Sequence, residues 1–593
     1  MKRNKCIGIV MMAAGILAAT SSCSDFSDYN DVPSDVSAAG NQTLWENISQ
    51  NSQLTDFAEL VKRTGYDSYL NTPRSLTVWA PANGSFDKSA YDNMSDEDVL
   101  RQFVKGHIAE YGHLATGKVE ERVHMLNDKS FDFLGEGSYT FDGVSVSQAN
   151  LPSSNGVMHI MNGAAKFLPN LYEYLKVGEN IDMLREHFMR YEEERLDQNA
   201  SVKGPMVNGI QTWIDSVMIT SNSLVNQLNA RLANEDSSYT FLMPTDKAFQ
   251  EMYDRVKPYY NFISATKVHD VENYSSASAT DVKTSPTINA TYMTDSLVRR
   301  TIVRNLIYSN NDTYNQWIVG KGEYLDTIKS TTRNKFSNGK EIIEDNIIGE
   351  PIRMSNGYGR LVDSLAFYPW ETFCGDLVFE PRRYMVKLFP ASAQMSTFRV
   401  YNNDGTPLTN LFGEDTELTE YRYGWISPGG DRTKPEFFVA LPNVMSTTYN
   451  FYVVFMPTRL TNGGAVDNRP NWLNFQLNYC TAKGVTATYN FSKAYADALI
   501  SGGTLPAVPS AVNATTAFMN DPTKTTTDTV FIGQFTFPVN YNGLGDEYYP
   551  SLRVSSPISV LNNTHLTNYS RDVRIAAILL RPVELEEFEA KNK

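Results

Sequence analysis

The chain has very few cysteines: four among 593 residues, at positions 6, 23, 374 and 480. None of them forms the C-x-x-C spacing that is typical of metal and redox sites. Cys6 and Cys23 lie in the N-terminal segment, so only Cys374 and Cys480 belong to the body of the chain. These two either pair with each other or remain buried free thiols. The fold therefore does not depend on a disulfide framework.

The common catalytic signatures are also missing. The sequence has no G-x-S-x-G, H-E-x-x-H, P-loop or dinucleotide-binding motif, and none of its seven histidines lies in a metal-ligand spacing. Carboxylates are plentiful, which leaves a glycosidase pair open, but nothing singles out two of them. We therefore expect a protein that is not an enzyme and that uses no metal or cofactor.

Positive charge is scarce relative to negative charge. The chain carries 52 Lys and Arg residues against 67 Asp and Glu residues. Removal of residues 1–22 would take away Lys2, Arg3 and Lys5 and leave a net charge of −18. Such a surface repels phosphate groups, and no basic stripe interrupts it. Nucleic acid is therefore not an expected partner.

Only the N-terminus carries a long apolar run. A basic start is followed by the apolar stretch Ile7–Thr20, which is too short for a membrane-spanning helix and is typical of a signal peptide over residues 1–22. The small residues Thr20, Ser21 and Ser22 precede Cys23, and this resembles a bacterial lipobox with Cys23 as the lipidated residue. Ordinary secretory cleavage beside a chance cysteine is the alternative.

The residues after Cys23 are acidic and polar. Ser24–Asp28 and Asp31 resemble the export signal of Bacteroidetes-type surface lipoproteins, whereas Asp25 alone resembles a signal for retention at the inner membrane. Residues 23–40 read as a flexible tether. We expect a lipid-anchored protein of the outer membrane that faces the cell exterior.

Two pairs of matching segments indicate an internal repeat. Leu76–Phe86 (LTVWAPANGSF) matches Tyr239–Phe249 (YTFLMPTDKAF). Ser154–Ile160 (SNGVMHI) matches Ser355–Asp363 (SNGYGRLVD). The economical interpretation is two diverged copies of one domain.

These segments resemble the two hallmarks of the fasciclin domain, over residues 41–372. The first copy keeps Pro81, Phe86, Asn155, Gly156, His159 and Leu168-Pro169, and offers Val104–Ile108 for the central stretch of the family. The second keeps Pro244-Thr245-Asp246 and Ala248-Phe249, shows Asn305–Tyr308 centrally, and has Arg360 in place of the late histidine. The first copy departs from the family at Ala82-Asn83-Gly84. The resemblance implies a binding or adhesion module without a shared catalytic site.

The expected architecture is multidomain α+β. Residues 41–175 form fasciclin-like domain 1, in which helices cover an antiparallel sheet. An apolar helix face runs from Leu44 to Val61, Ser95 begins a further helix, and Asp142-Gly143 forms a hairpin turn. Residues 176–372 form fasciclin-like domain 2.

The second copy has two special features. The apolar residues of segment 170–235 recur at helical spacing, which predicts helices there. One such period consists of Trp213, Ile214, Val217 and Met218. A long polar insertion over Ser264–Thr294 is predicted as a surface loop, which either binds a ligand or is an exposed excursion without a role.

His107 and His159 are the strongest candidates for chemistry in domain 1. They either serve as metal ligands or an acid–base pair, or they are structural histidines, as the family resemblance implies. Arg360 in the second copy favours the structural role.

Residues 375–593 alternate strongly and are punctuated by turn residues, which predicts an all-β, jelly-roll-like sandwich with one short helix at Ser492–Ile500. Four aromatic residues in its turn-rich segments are candidates for stacking on a sugar: Tyr421, Tyr423, Trp425 and Trp472. The alternative is that they belong to the core.

The build resembles accessory lipoproteins of glycan uptake. Its expected partners are a TonB-dependent transporter with its starch-utilisation-type lid lipoprotein, a glycan, or both. The alternative function is adhesion to host matrix or other cells through the fasciclin copies. A hydrolase hidden in the sandwich would require a carboxylate pair that the sequence does not reveal.

Overall fold

The computed structural model describes residues 40–199, 201–275, 281–400, 408–409, 415–418, 421–460, 466–505 and 517–592. The predicted signal peptide (1–22), Cys23 and all but the last residue of the tether (23–40) lie outside the described residues. The chain forms two compact units. Of the described residues, the first unit holds those up to Ile181 with Arg185–Phe241 and Glu350–Arg360, and the second holds Asp182–Leu184, Leu242–Gly349 and those from Leu361 onwards. The domain limits 41–175, 176–372 and 375–593 stay predictions.

The first unit opens with three helices, α1 (Leu44–Gln50), α2 (Thr55–Arg63) and α3 (Asp67–Leu70). Thr43 begins α1 through a capping box: its hydroxyl accepts the Glu46 N–H, and the Glu46 carboxylate accepts the Thr43 N–H. Gly65, at φ 71°, follows the end of α2. The apolar residues from Leu44 to Val61 are buried as predicted, but residues 51–54 divide the single predicted helix face between α1 and α2.

The helix that the sequence places after Ser95 is present but changes pitch. Ser95 caps α4 (Asp96–Val99) by accepting the Asp98 N–H, and the chain continues as a π-helical turn over Leu100–Val104 and a 3-10 turn over Lys105–His107. Together these turns bury Phe103 and deliver His107 to the interior.

A seven-stranded sheet packs against these helices, in the order β2-β1-β7-β6-β5-β4-β3. Its strands are β1 (Leu76–Pro81), β2 (Ile108–Glu110), β3 (Lys118–His124), β4 (Ser130–Glu136), β5 (Ser138–Phe141), β6 (Val144–Ser153) and β7 (Gly156–Met161). Asp142 and Gly143, at φ 49° and 76°, form the predicted hairpin turn. The expected all-antiparallel sheet is wrong at one ladder, because β1 and β7 pair in parallel. Between them in the chain lie a helical crossover and five other strands, β2 to β6, which let β7 return beside β1 in the same direction.

The segment after Pro169 contains helices and also strands that the sequence reasoning missed. Its elements are α5 (Leu171–Val177), α6 (Asp182–Met189), β8 (Glu192–Leu196), β9 (Val202–Val207), β10 (Ile210–Asp215), β11 (Met218–Asn222) and α7 (Ser223–Gln227). The helical period assigned to Trp213–Met218 is therefore wrong. Asn208 and Gly209, at φ 51° and 78°, form the β9–β10 hairpin turn, and this Asn-Gly pair was the available signal.

Two asparagines make matching contacts in the first unit. The Asn155 amide oxygen accepts the Leu44 N–H, and its NH₂ group donates to the carbonyls of Leu70 and Thr72. The Asn356 amide oxygen accepts the Leu171 N–H, and its NH₂ group donates to the carbonyls of Leu232 and Asn234. Each asparagine therefore joins the start of a helix to a turn that precedes a strand.

The glycines that follow these asparagines also match. A Cβ on Gly156 would lie 2.0 Å from the Leu76 carbonyl oxygen, and a Cβ on Gly357 would lie 2.0 Å from that of Tyr239. Both glycines have a positive φ, 153° and 143°. Only glycine tolerates this approach of two backbones, which explains the repeated Ser-Asn-Gly segment.

At Ala82-Asn83-Gly84 the sequence departs from the fasciclin pattern that it otherwise resembles, and the structure explains how Asn83 is accommodated. Helix α2 has no side-chain cap of its own, and the Asn83 amide oxygen accepts the Asp56 N–H at 3.0 Å. At the matching position of the segment Tyr239–Phe249, the Asp246 carboxylate accepts the Met183 N–H of α6 at 2.7 Å. Asparagine and aspartate both offer an oxygen that can accept the N–H of a helix N-terminus. Asn83 can therefore fill the capping role that Asp246 has at the matching position.

The chain continues after α7 with short strands and helices. They are β12 (Tyr239–Pro244), α8 (Asp246–Val256), β13 (Lys267–His269), β14 (Val282–Thr284), α9 (Ala290–Val303), β15 (Ile307–Ser309), β16 (Ile328–Lys329), β17 (Lys335–Phe336), β18 (Ile352–Met354), β19 (Gly357–Val362) and α10 (Pro369–Thr372). Further 3-10 and π turns lie at Lys88–Tyr91, Lys257–Tyr260, Gln316–Val319, Glu341–Asp345 and Thr458–Leu460. Thr245 caps α8 by accepting the Ala248 N–H, as its place in the repeated motif suggests.

The described part of the insertion over Ser264–Thr294 is anchored rather than free. Strands β13 and β14 pair as a hairpin, and Val271 beyond β13 is buried. The Tyr274 ring lies 4.8 Å from the Phe438 ring, and the Glu272 carboxylate accepts the Tyr549 hydroxyl at 2.9 Å. The insertion therefore packs on the β-rich part of the second unit.

Two antiparallel sheets make up the rest of the second unit. The first, in the order β22-β25-β33-β27-β31 with β20 also beside β33, contains β20 (Leu377–Phe379), β22 (Gln394–Val400), β25 (Tyr421–Ser427), β27 (Thr448–Phe455), β31 (Asp528–Thr536) and β33 (Val573–Pro582). The second, in the order β21-β26-β32-β28-β29 with β30 beside β28, contains β21 (Met385–Phe389), β26 (Glu436–Ala440), β28 (Trp472–Cys480), β29 (Thr486–Asn490), β30 (Phe518–Met519) and β32 (Ser551–Ser555). A small ladder joins β23 (Leu408–Thr409) and β24 (Asp415–Leu418).

The sheets contact each other through aromatic side chains. Tyr479 of β28 lies 4.8 Å from Phe535 of β31, and Phe451 of β27 lies 5.0 Å from Phe491, ring centroid to ring centroid. The helices of this part are α11 (Pro381–Tyr384), α12 (Lys493–Ser501), α13 (Asn563–Asn568) and α14 (Val583–Asn592). The alternating strands and the short helix after Ser492 are thus where the sequence predicts them, while a jelly-roll topology stays a prediction.

Candidate functional site

The candidate sugar-stacking residues lie on or next to the strands of the two sheets. Tyr421 begins β25, and its side chain lies outside the described residues. Tyr423 is 4% exposed and packs among Val454, Met456 and Ala577. Tyr423 is therefore a core residue and does not belong to a ligand-binding surface.

Trp425 is half-buried and already has neighbours on its ring. The Arg574 guanidinium lies 4.8 Å from the ring centroid, and the Phe398 ring lies 5.6 Å away. The indole N–H donates to the Asp572 carboxylate at 3.1 Å. These contacts hold the ring in place, and the side chain stays only partly exposed.

Trp472 reaches the same stretch of chain from the other sheet. Its ring lies 4.9 Å from Tyr569 and 5.7 Å from His565. The next residue towards the N-terminus, Asn471, donates to the carbonyls of Ser570 and Asp572. The structure therefore brings Trp425 and Trp472 to one connection, residues 569–574, from opposite sheets.

His107 uses both of its ring nitrogens within the fold. Its Nδ1 lies 2.7 Å from the Phe103 carbonyl oxygen, and its Nε2 accepts the Ala165 N–H at 3.0 Å. The Nδ1 position must therefore carry the proton and donate it. Burial lowers the pKa of this histidine to about 4, so the ring is neutral at physiological pH.

His159 is held in the opposite tautomer. Its Nδ1 accepts the Asn150 N–H at 3.3 Å, and its Nε2 donates to the His113 carbonyl oxygen at 2.8 Å. Burial lowers its pKa to about 4, and the hydrogen bond to the His113 carbonyl opposes this shift only in part. With every ring nitrogen engaged by backbone, neither histidine has a lone pair for a metal or a substrate proton, which confirms their structural role.

The two body cysteines are free and buried. The Cys374 sulfur lies 3.6 Å from the Tyr449 hydroxyl, and burial raises the pKa of its thiol to about 12. Burial also raises the pKa of the Cys480 thiol. Of the two alternatives that the sequence left open, buried free thiols are correct.

The described residues contain no group of three or more histidine, cysteine, aspartate or glutamate side chains placed to hold a metal ion. They also contain no helix that is both long and apolar enough to cross a membrane.

A cleft in the second unit was not predicted from the sequence. Its volume is about 520 Å³, within the range of small-molecule sites. Three segments form it: the end of α8 with the following 3-10 turn (residues 255–259), the entry to α10 (368–370), and helix α14 (584–591), with Ser446 and Thr447 beside them. We call it the α14 cleft.

Aromatic rings form one wall of the α14 cleft. Tyr368 and Trp370 stack at 4.8 Å with planes 5° apart, and the Phe588 ring lies 4.9 Å from each. All three side chains are half-buried, so they retain accessible surface. The Tyr259 hydroxyl donates to the Glu584 carboxylate at 2.6 Å and so holds α14 in position.

The cleft was not predicted from the sequence because its segments are far apart in the chain. A signal was available in the Tyr368-Pro369-Trp370 run at the predicted domain boundary. A second signal was the spacing of Glu584, Phe588 and Lys591, which share one face of a helix.

Comparison with known proteins identifies one region of the chain. The family described as Fasciclin domain matches residues 52–164. A fasciclin-like arabinogalactan protein of Arthroderma benhamiae is 30% identical over 139 residues, which cover 20% of this chain and 31% of that protein. Stabilin-1 of Mus musculus is 25% identical over 133 residues, 21% of this chain and 5% of that protein. The chain thus spans less than a third of either relative.

One solved structure, a FAS1 domain pair from the insect cell adhesion molecule fasciclin I, aligns with 55% of this chain and 99% of its own at 14% identity and a TM-score of 0.19. The family match over residues 52–164 shows a fasciclin domain there, and the elements of this range are of mixed α/β content. Such domains are in general non-catalytic and are associated with cell-surface and adhesion-related proteins.

Proposed function

We propose that this protein is a non-enzymatic lipoprotein of the outer-membrane surface and an accessory binding subunit of a TonB-dependent uptake complex for glycans or other nutrients. The observation that carries the location is the Thr20-Ser21-Ser22-Cys23 segment behind a basic and apolar start, followed by acidic residues. Lipid on Cys23 would anchor the chain, and several acyl chains hold far better than one.

A second fasciclin domain is part of this proposal. The matching hydrogen bonds of Asn155 and Asn356, and the matching backbone approaches at Gly156 and Gly357, support a tandem arrangement. The capping oxygens of Asn83 and Asp246 support it as well. The two sheets over residues 377–582 then form the third domain, a jelly-roll-like sandwich.

Binding rather than catalysis is proposed because the residues best suited to chemistry are occupied. His107 and His159 spend both ring nitrogens on backbone groups, and Cys374 is held as a neutral buried thiol. The accessible features of the second unit are instead ring surfaces: Trp425, Trp472 and the wall of the α14 cleft. Rings of this kind suit a ligand with an apolar face.

The proposed partners are the transporter in the outer membrane and its lid lipoprotein. The test is affinity capture of the tagged lipoprotein from detergent-solubilised outer membranes, with the bound proteins identified by mass spectrometry. We expect the transporter and its lid to be recovered in defined ratio with the bait. Recovery of the bait alone would refute the uptake complex.

A Cys23→Ala variant is the matched control for the anchor. It keeps the whole folded body but cannot be acylated at residue 23, so it should be lost from the membrane fraction. External protease on intact cells should cut the wild-type protein and spare periplasmic markers. Persistence of the variant in the membrane, or protection from protease, would refute the proposed lipid anchor or its outward orientation respectively.

Adhesion is the second candidate, and the fasciclin domain at residues 52–164 is the observation in its favour. It predicts that the purified full chain, presented on beads, binds host matrix proteins or other cells and captures no transporter. Saturable bead binding together with an empty membrane capture would favour adhesion over uptake.

A further inference from the structure

The α14 cleft has a chemical character that differs from the rest of the molecule. The chain as a whole is acidic, at a net charge of −15. The cleft instead brings together two cations, Arg255 and Lys591, and two anions, Glu584 and Glu587. The lining charges therefore cancel, and the cleft selects neither for phosphate nor for ammonium groups.

Two of the four charged groups of the cleft already form hydrogen bonds within the protein. The Arg255 guanidinium donates to the Phe367 carbonyl, and Glu584 accepts the Tyr259 hydroxyl. Glu587 and Lys591 lie one helical turn apart on α14, which lets their charges compensate each other. The cleft therefore presents hydrogen-bonding groups to a ligand and has no strongly positive or negative electrostatic potential.

The helix that forms this rim is held firmly from its other side. Glu586 accepts hydrogen bonds from Asn450 and from Tyr452, at 2.5 and 2.9 Å, and Glu589 accepts one from Arg581 at 3.0 Å. One side of α14 is therefore bound to the sheet, while Glu587, Phe588 and Lys591 face the cleft. A fixed helix lets the rings and the polar groups keep a constant spacing.

The aromatic wall and the polar rim together define a ligand class. A sugar ring carries an apolar face of C–H groups and an equatorial belt of hydroxyls. The wall of Tyr368, Trp370 and Phe588 suits the face, and Ser446, Thr447 and the charged rim suit the hydroxyls. A hydrocarbon ligand would bury the rim charges without hydrogen bonds, which is costly.

We infer that the α14 cleft is a binding site for a neutral oligosaccharide. This inference deepens the proposed uptake function and rests on it for its biological setting. It also moves the expected sugar contacts from the sandwich residues Trp425 and Trp472 to Tyr368, Trp370 and Phe588.

The test is isothermal titration of the purified full-length protein with neutral oligosaccharides of the gluco-, manno-, xylo- and galacto- series. Oligogalacturonate and oligoglucosamine serve as acidic and basic counterparts. We expect at least one neutral series to bind saturably. Trp370→Ala should lower its affinity by about tenfold, because a stacked ring contributes a factor of that order.

Two further variants separate binding from folding. Lys591→Gln alters only the rim of the cleft and should weaken binding without changing the melting temperature. Tyr292→Ala removes an exposed ring elsewhere in the second unit, on α9, and should leave the affinity unchanged. If Trp370→Ala lowers the melting temperature, Lys591→Gln decides the outcome.

Three results would overturn the inference: no neutral series binds, a charged series binds better, or both cleft variants bind as tightly as wild type. The membrane capture is independent of these results. A protein that captures the transporter but binds no sugar refutes only the cleft, and a protein that binds sugar but captures nothing refutes only the uptake complex.

Discussion

Asn155 and Asn356 make the same three side-chain hydrogen bonds in two different parts of the chain. Each amide oxygen accepts the first N–H of a helix, from Leu44 or Leu171, and each NH₂ group donates to two carbonyls of a turn. Both side chains are buried, at 9% and 2% exposure. An amide is the one side-chain group that can accept once and donate twice in this geometry.

Substitution of these asparagines should therefore be costly and similar at both sites. Asn155→Ala and Asn356→Ala should each lower the free energy of unfolding by about 2 kcal/mol or more, because each leaves three buried backbone groups unpaired. Asp at either site should be at least as harmful, since a carboxylate cannot donate to the carbonyls. Urea unfolding measures the effect. An Asn→Asp substitution that leaves the free energy of unfolding unchanged at either position would contradict the prediction.

A buried cation in the first unit supports a second prediction. The Lys129 ammonium lies 2.6 Å from Glu173 and 2.8 Å from Glu235, with only 3% of the Lys129 side chain exposed. Lys129→Met should destabilise the protein by about 3–5 kcal/mol, because it leaves Glu235 buried without its charge partner. Adding Glu235→Gln should restore part of the loss.

An exposed ion pair of the same unit is the matched control. Arg74 and Glu110 are 3.3 Å apart and about half exposed. Arg74→Ala should change the free energy of unfolding by about 1 kcal/mol or less. Equal effects at Lys129 and Arg74 would show that burial does not determine the contribution of these pairs.

The two buried histidines make the first unit sensitive to acid. Their folded pKa values are about 4, below the ordinary value of 6.5, so the unfolded chain binds more protons between these limits. Stability is therefore full above about pH 6.5 and falls as the pH drops towards 4, by about 3 kcal/mol for each histidine.

Amide exchange gives a local measurement of this acid sensitivity. The N–H groups of Ala165 and Asn150 donate to the two histidines and should lose protection as the pH falls from 6.5 to 4. His107→Gln and His159→Gln cannot titrate, and each should remove the pH dependence at its own partner amide. Unchanged protection in the wild-type protein across this range would disprove the assigned tautomers.

The buried thiols should be unreactive in the folded protein. With its pKa raised to about 12, Cys374 carries almost no thiolate at neutral pH, and Cys480 is shifted in the same direction. Alkylation followed by peptide mass analysis should modify both residues only after unfolding in urea. Labelling of Cys374 under native conditions, or detection of a Cys374–Cys480 disulfide, would contradict this expectation.

Trp425 and Trp472 retain a testable role as ligand contacts at the sandwich end. If a sugar binds there, Trp425→Ala and Trp472→Ala should abolish glycan binding while the protein stays folded. We expect these variants to lose stability instead, because the rings pack against Arg574 and Tyr569. Titration of both variants with the sugar that the wild type binds decides between the two outcomes.

Local signals in the sequence were enough for most of the secondary structure. The capped helices around Leu44 and Ser95, the Asp142-Gly143 turn and the alternating strands after residue 375 depend on neighbours a few positions away. The strands at 192–222 were missed because a helical period was favoured over the Asn208-Gly209 turn signal.

The structural role of His107 and His159 was also foreseeable, through the repeat and the family resemblance. Their tautomers were not, because these depend on carbonyls and amides that only the folded chain brings close. The same holds for Asn83, whose capping oxygen substitutes for an aspartate across a tertiary contact with α2.

The sequence by itself determined the two pairs of matching segments, the acidic composition, the paucity of cysteine and most local helices and strands. Each of these is a property of the residue types or of residues near one another in the chain. Tertiary structure alone decided the parallel β1–β7 ladder, the ion pairs of Lys129 with Glu173 and Glu235, and the α14 cleft. The cleft joins segments near residues 255, 370 and 588, and no local pattern encodes which distant segments will meet, because that choice depends on packing over the whole unit.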